Sequence, residues 1–572
     1  MMIRNSILIG LLNVLTIILT WGQTSVDTAG AHTYTNYFIS PVAHTIRLAG
    51  SFGEIRSNHF HAGIDIKSSR GTVGDTLVAA ADGFISRIKV QAGSYGQVLY
   101  IDHPNGYTTV YAHMEKFADS IDEYIHNLQM ESKSYEVDIY PDADKFVVKQ
   151  GEYIGLMGNT GMSYGPHLHF EIRKTDTEIP QNPYLFNLGP KDSSNPLMYS
   201  VSVEGIDNRH TPISKEIKYI NGKPSGVYGP EYTFDVPAWR AGIAVQTFDL
   251  MDGAPNKNGV YQIKMFVDDT LYFHHKIDAV GFDETKFINS HINFDEKTTN
   301  NRTLIKCYVS PGNPLGFYPT VINNGEVKLF KNKSRKIDLV VSDFYDNEST
   351  YTCYVRRREA KEGEIKEKVF QKYFPFGEDL KVKLGSCAFY FPKGSFDKDA
   401  YLTYEESKDE NFQFTLNKDS EPLFMYPVVS IPVENYDTTL YSKLVLVHGN
   451  KTSFGGSVDN DSLRVRIGKL GSFEVKVDTI PPKIDVKSFL SNAVGKPFFR
   501  FEIYDEYETR GYARDIKYDV FIDGEWVVAS LKALGNTLIV PLEDVEPGDH
   551  TLKIRVEDHS GNINEWERTF KN

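Results

Sequence analysis

The sequence predicts a mainly β chain: an antiparallel-sheet first domain followed by β-sandwich, immunoglobulin-like modules. Three observations carry this. Residues 34–196 are dense in glycine and in short strand-like runs, one of them a hairpin joined around Pro104-Asn105-Gly106. From about Tyr199 onward single strand-like runs recur, such as YQIKMFVDD, SRKIDLVVSDFYDN, SFEVKVDTIPP and HTLKIRVEDHSGN. Two of them end alike: Val341 to Asn347 and Val556 to Asn562 each close a strand with an aspartate turn and an asparagine. That loose repeat suits small sandwich modules.

Taken in order, the elements divide the chain. Its 572 residues exceed what one hydrophobic core usually holds, so several domains are expected. The start has one Arg and then a mostly apolar run from Ile7 to Trp21. It reads as a secretory signal peptide over residues 1–22, with an uncleaved anchor as the alternative. Export places the protein in the periplasm or outer cell envelope.

Residues 23–198 form the expected first domain. Within it, LVAAADGFISRIKV reads as a strand with a turn at Asp82-Gly83, and GQVLYIDHPNGYTTVYAHM as the hairpin. GEYIGLMGNTG is turn-rich, and GPHLHFEIRK is a strand of period two. Residues 115–149 read as an insertion, a partly ordered surface excursion that walls or covers a cleft. A sandwich region over 199–365, a β-rich domain over 366–477 and a C-terminal sandwich over 478–572 follow. Prolines at Asp478-Thr479-Ile480-Pro481-Pro482 break the strand at the last joint.

The net charge of −14 weighs against binding nucleic acid or anionic membrane, which is largely a basic-patch effect. Cys307, Cys353 and Cys387 are too widely spaced for a disulfide framework or a structural zinc site, and three cannot all pair within one chain.

Four short elements collect the histidines of the first domain: His59 to Asp65, Asp102-His103, Tyr111-Ala112-His113 and His167-Leu168-His169. On a strand, His167 and His169 share a face while Leu168 and Phe170 take the other. That pattern presents either a metal ligand with a neighbouring base, or two surface histidines. His61 and Asp65 are four apart, but Gly63 and the β-branched Ile64 and Ile66 speak against a helix. A bend around Gly63 would bring nitrogen and oxygen donors to one ion, both acceptable to zinc. The same stretch equally allows Asp65 to cap a turn. The chain has no HExxH pattern in this region, so the histidines would have to cover the role of that motif's glutamate.

These motifs, His61-Ala62-Gly63-Ile64-Asp65, Tyr111-Ala112-His113 and Gly165-Pro166-His167-Leu168-His169-Phe170-Glu171, resemble the lysostaphin- and LytM-like zinc metallopeptidases of family M23. The glycine-rich pieces Gly71 to Ala81, Tyr95-Gly96 and Gly155 to Gly161 fall around them in the right order. The resemblance implies a Zn2+ site built by His61, Asp65 and His169. It implies His113 and His167 as the catalytic pair, one to take or orient a proton and one to stabilise the oxyanion. Three protein ligands leave a fourth position for water.

His59 and Tyr164 are candidates for the substrate groove. Asp102 is a candidate for orienting a ligand histidine from behind. His103 is expected to structure the hairpin turn, and His126 to line the groove. Ser163-Tyr164-Gly165-Pro166 departs from the family, which often has a small hydroxyl residue where Tyr164 stands.

The implied function is a secreted zinc metalloendopeptidase that hydrolyses peptide cross-links of peptidoglycan. The alternative is a catalytically silent or autoinhibited envelope protein that binds a partner or cell-wall glycan. Peptidoglycan peptides and an envelope protein are the expected partners, nucleic acid is not, and the expected state is a monomer.

Overall fold

The computed structural model describes residues 36–206, 215–219, 232–407, 411–417, 421–449, 451–491, 497–509 and 516–572. The leader expected over 1–22 lies outside them.

The first unit contains β1 (Leu48–Gly50), β2 (Ile64–Lys67), β3 (Thr76–Val78), β4 (Gly83–Val90), β5 (Gln97–Asp102), β6 (Tyr107–Ala112), β7 (Met114–Phe117), α1 (Asp119–Ser132), β8 (Val137–Ile139), β9 (Val147–Val148), β10 (Tyr153–Met157), β11 (His167–Lys174) and β12 (Pro180–Gln181). A nine-stranded sheet runs β1-β2-β11-β6-β5-β4-β8, with β12 beside β11 and β9 beside β4. Its pairings are antiparallel. A three-stranded sheet, β3-β10-β7, closes one side. Ile64, Ile66, Leu99, Leu168 and Phe170 of the large sheet meet Leu77, Ile154 and Met157 of the small one in a single core.

Two details depart from the sequence reading. LVAAADGFISRIKV is not one strand. It crosses between sheets, β3 ending at Val78 and β4 starting at Gly83. Ala79, Ala80 and Ala81 pass buried between them. The insertion over 115–149 is fully built into the domain. Helix α1 buries Ile121, Ile125 and Gln129 one turn apart, and β8 and β9 extend the sheet from β4. Gln129 hides the apolar period, since it is polar yet buried, with its amide donating to the Tyr135 carbonyl at 2.7 Å.

Strand β11 alternates as expected, but both faces are buried. Leu168, Phe170 and Ile172 enter the core, and His169, Glu171 and Arg173 lie buried on the opposite face.

The remaining chain is β-sheet packed on β-sheet. In the second module, Met198, Val203 and Ile243 from one six-stranded sheet meet Phe234, Met265, Leu339 and Tyr351 from another. Two further cores lie between a five- and a six-stranded sheet, and between two four-stranded sheets. Cys307, Cys353 and Cys387 are buried within these cores.

The repeated aspartate turn is one device used twice. The Asn347 and Asn562 backbone N–H groups donate at 2.8 Å to Asp343 and Asp558, and each Asn amide returns to the same carboxylate. The modules also pack on the first unit: Phe344 and Tyr518 lie against its core, and the Ala533 N–H donates to the Ala92 carbonyl at 3.1 Å.

Gly63 is demanded by the approach of β2 to β11. A Cβ there would lie 2.3 Å from the Phe170 carbonyl oxygen. Gly63→Ala is therefore expected to push β2 from β11 and destabilise the chain by about 1–3 kcal/mol, read from urea unfolding midpoints.

Candidate metal centre

The pairing of β2 with β11 sets His169 directly opposite Asp65. His61, just before the bend at Gly63, reaches the same point. Three atoms converge: His61 Nε2 and Asp65 Oδ1 are 2.9 Å apart, His61 Nε2 and His169 Nδ1 2.9 Å, and His169 Nδ1 and Asp65 Oδ1 3.0 Å. All three residues are buried.

Groups outside the cluster fix the tautomers. His61 donates its Nδ1–H to the Ser51 carbonyl at 2.7 Å, which leaves Nε2 a bare lone pair. His169 donates Nε2–H to Glu171 Oε1 at 2.8 Å, which leaves Nδ1 bare. Asp65 Oδ2 accepts from Arg56 at 2.9 Å, so Oδ1 faces the cluster. Two imidazole lone pairs and a carboxylate oxygen thus point at one another. They repel unless a cation lies among them. The donor set fits a small divalent metal that takes nitrogen and oxygen.

Glu171 is the residue behind His169. It is fully buried, and it accepts from Arg173 Nε at 2.6 Å and Tyr95 Oη at 2.5 Å as well as from His169. Burial alone would raise its carboxyl, but Arg173 and His169 hold it down at about 2.

His113 and His167 stand beside the cluster with ring centroids 4.8 Å apart. His113 has φ 62°, a left-handed conformation that a non-glycine residue rarely adopts. It is the single residue between β6 of the large sheet and β7 of the small one, so the turn between sheets aims its ring at the site. Its Nδ1–H donates to the Thr160 carbonyl at 2.8 Å, leaving Nε2 free. Burial, reinforced by His167 and His169, pushes the His113 imidazole down to about 3, so it is neutral at ordinary pH. His167 donates Nδ1–H to the Gly165 carbonyl at 2.8 Å, and its Nε2 lies 3.5 Å from Asp65 Oδ1.

The five histidine and aspartate residues open onto a cleft of about 1360 Å³. His59 and Tyr164 line it, and Tyr164 is 90% exposed. Asp102 is not at the site. Its carboxylate accepts from Ser86 and Thr108 at the far end of β6, and Glu171 does the orienting instead. His103 bonds the Asp82 carbonyl and Thr109 beside the hairpin turn. His126 is exposed on α1, away from the cleft.

No residue of 115–149 lines the cleft. Phe282 and Thr285 from the second module and Ala533 from the C-terminal one also line it. Glu171 was not singled out from the sequence; the period-two pattern of β11, which places it two residues beyond His169 on the same face, is the signal that marks it. Nothing local in the sequence marks Phe282 or Ala533, which arrive from distant modules.

A buried donor set of two imidazoles and a carboxylate, flanked by two more imidazoles and open to a cleft, defines a candidate metal centre accessible to a ligand. Residues 59–130 and 140–183 match the model of peptidase family M23, so the first unit is an M23 domain. Residues 371–478 match that of the Zu5-like domain.

Among curated relatives, the chain is 35% identical over 137 residues to the DD-carboxypeptidase/endopeptidase Mpg of Neisseria meningitidis serogroup B, covering 24% of this chain and 23% of that protein. It is 32% identical over 112 residues to the peptidoglycan DD-endopeptidase ShyC of Vibrio cholerae, covering 19% and 20%. The chain thus spans about a quarter of the length of such relatives. A solved catalytic domain of lysostaphin from Staphylococcus simulans is 21% identical, covers 27% of this chain and 96% of that one, and has a TM-score of 0.17. The family and the donor set together imply a metal cofactor.

Glu171→Ala is expected to weaken metal binding by about 10–100-fold in competition with a chelating dye, because His169 loses its orienting carboxylate.

Proposed function

We propose that the chain is an exported zinc metalloendopeptidase that hydrolyses peptide cross-links of peptidoglycan. The observation that carries this reading is the facing of three bare donor atoms, from His61, Asp65 and His169, beside two imidazoles that are not part of that set. When bound, zinc supplies a polarised carbonyl and a water acidic enough to give hydroxide near neutral pH.

The chain's own residues do the rest. Ser51, Glu171 and Arg56 hold the donors in place from behind. His113, neutral and bare at Nε2, takes the proton of the attacking water. His167, the more exposed of the pair, donates to the oxyanion of the tetrahedral intermediate. Asp65 Oδ2 stays on Arg56, so the carboxylate cannot rotate away from the cluster.

Charge supports an acidic peptide as substrate. Arg47, Arg56, Lys67 and Arg70 line the cleft, where Asp65 is the one acidic side chain, in a chain of net charge −14. Stem peptides of peptidoglycan carry free carboxylates that such a lining attracts. The name of the Vibrio relative points to the same substrate, and that of the Neisseria relative to peptide-bond cleavage. A silent scaffold would be expected to lack a donor, and none of the five residues is missing. Among the described residues no helix is long and apolar enough to cross a membrane.

Cross-linked muropeptides incubated with the purified full chain are expected to be cleaved. Chelator should abolish the cleavage and added zinc restore it. Absence of product with zinc present sinks the reading. His169→Ala should lose zinc, whereas His113→Ala should keep it while turnover falls about 10²–10⁴-fold, as metal analysis and chromatography of products would show.

A further inference from the structure

Three carboxylates meet where the M23 domain joins the second module. Asp192 lies on the link leaving the first unit, Asp249 near the end of strand Arg240–Leu250, and Asp343 at the turn after strand Ser334–Ser342. One oxygen from each lies within 4.8 Å of the others. Asp343 is satisfied by the N–H groups of Tyr345 and Asn347 and by the Asn347 amide. Asp192 Oδ1 accepts from the N–H groups of Ser194 and Asp252. Asp192 Oδ2 and Asp249 Oδ1, however, are buried and accept no hydrogen bond. Asp249 is only 2% exposed.

A buried carboxylate oxygen without a donor is costly. Nearby hydroxyls do not relieve it. Tyr184 Oη turns to Met251 Sδ, Tyr261 Oη to Asp278 and Tyr345 Oη to the Pro190 carbonyl. The three aspartates line a cavity of about 20 Å³, room for one water or ion. Oxygens that share a calcium ion at about 2.3–2.6 Å lie at most about twice that far apart, which matches the spread seen here.

We propose that Asp192, Asp249 and Asp343 bind one hard divalent cation of the calcium class. The ion ties the link and the second module to the M23 domain. It thereby holds the Phe282 and Thr285 wall of the cleft. The site is independent of the peptidase reading.

A comparison within the molecule sharpens the choice. Asp478, Asp505 and Asp558 also cluster. There the Asn562 amide bridges Asp478 and Asp558, Ser560 donates to Asp478, and Asp505 is only partly buried. There Asp478 and Asp558 already have donors, and the one oxygen without a partner, Asp505 Oδ1, belongs to a residue that is not fully buried as Asp249 is.

The test uses the full chain with one equivalent of zinc, dialysed against CaCl2 and followed by elemental analysis and thermal unfolding. The wild type is expected to take up one more Ca2+ than Asp249→Asn. CaCl2 should raise its unfolding midpoint by several degrees and leave that of Asp249→Asn unmoved. Asp192→Asn, on the link, should lose the same ion and serves if Asp249→Asn does not fold. Equal uptake and equal shifts in wild type and variants overturn the site, and mean that a proton on Asp249 relieves the cluster instead. A response to MgCl2 without one to CaCl2 overturns the calcium assignment.

Discussion

Whether a metal site exists in this chain depends on the register of two short strands. Asp65 pairs with His169, and its neighbours pair Ile64 with Phe170, Ile66 with Leu168 and Lys67 with His167. Ile64, Ile66, Leu168 and Phe170 are all fully buried. Each such side chain contributes about 1.5–3 kcal/mol on burial, so the apolar face holds the register and the polar face follows. A slip by one residue would turn every donor into the core and every core residue out. The glycine at 63 lets the strands come this close.

The second constraint is electrostatic. Burying His61, Asp65, His169 and Glu171 together is unfavourable unless each polar atom has a partner. Arg56, Arg173, Tyr95 and Ser51 supply those partners from outside and leave three atoms facing inward. His113 adds a local cost. Its left-handed backbone stores about 1–3 kcal/mol, and the two sheets it connects keep it there. A strained backbone at His113 and inward-facing donors at His61, Asp65 and His169 thus lie side by side at the cleft.

Much of this was legible before any coordinates. The hairpin carried its turn in Pro104-Asn105-Gly106, and the order of the three histidine motifs pointed to one site. What stayed hidden was long-range or disguised. Asp102 looked suited to orient a ligand histidine because such ligands usually donate their other N–H to a carboxylate, but a strand hides which end of the sheet it occupies. Glu171 lay inside the motif and needed only the period of two to be noticed. The first half of the insertion allows one or two helical turns by its sequence, and the full 14-residue length of α1 was hidden because Gln129 stands at an inward position. The cleft walls at Phe282 and Ala533 are more than 100 residues from His169 along the chain, so no local pattern could announce them. The Asp192, Asp249 and Asp343 cluster is assembled from three separate stretches for the same reason.

The most direct measurement is zinc K-edge X-ray absorption on the metal-loaded full chain, with His59→Ala and His61→Ala alongside. The wild type should show two imidazoles and oxygen donors at about 2.0–2.2 Å with no sulfur. His59→Ala should leave that spectrum unchanged, and His61→Ala should lose one imidazole or the metal altogether. A sulfur ligand, or a spectrum that His61→Ala leaves unchanged, would contradict the assignment of the metal to His61, Asp65 and His169.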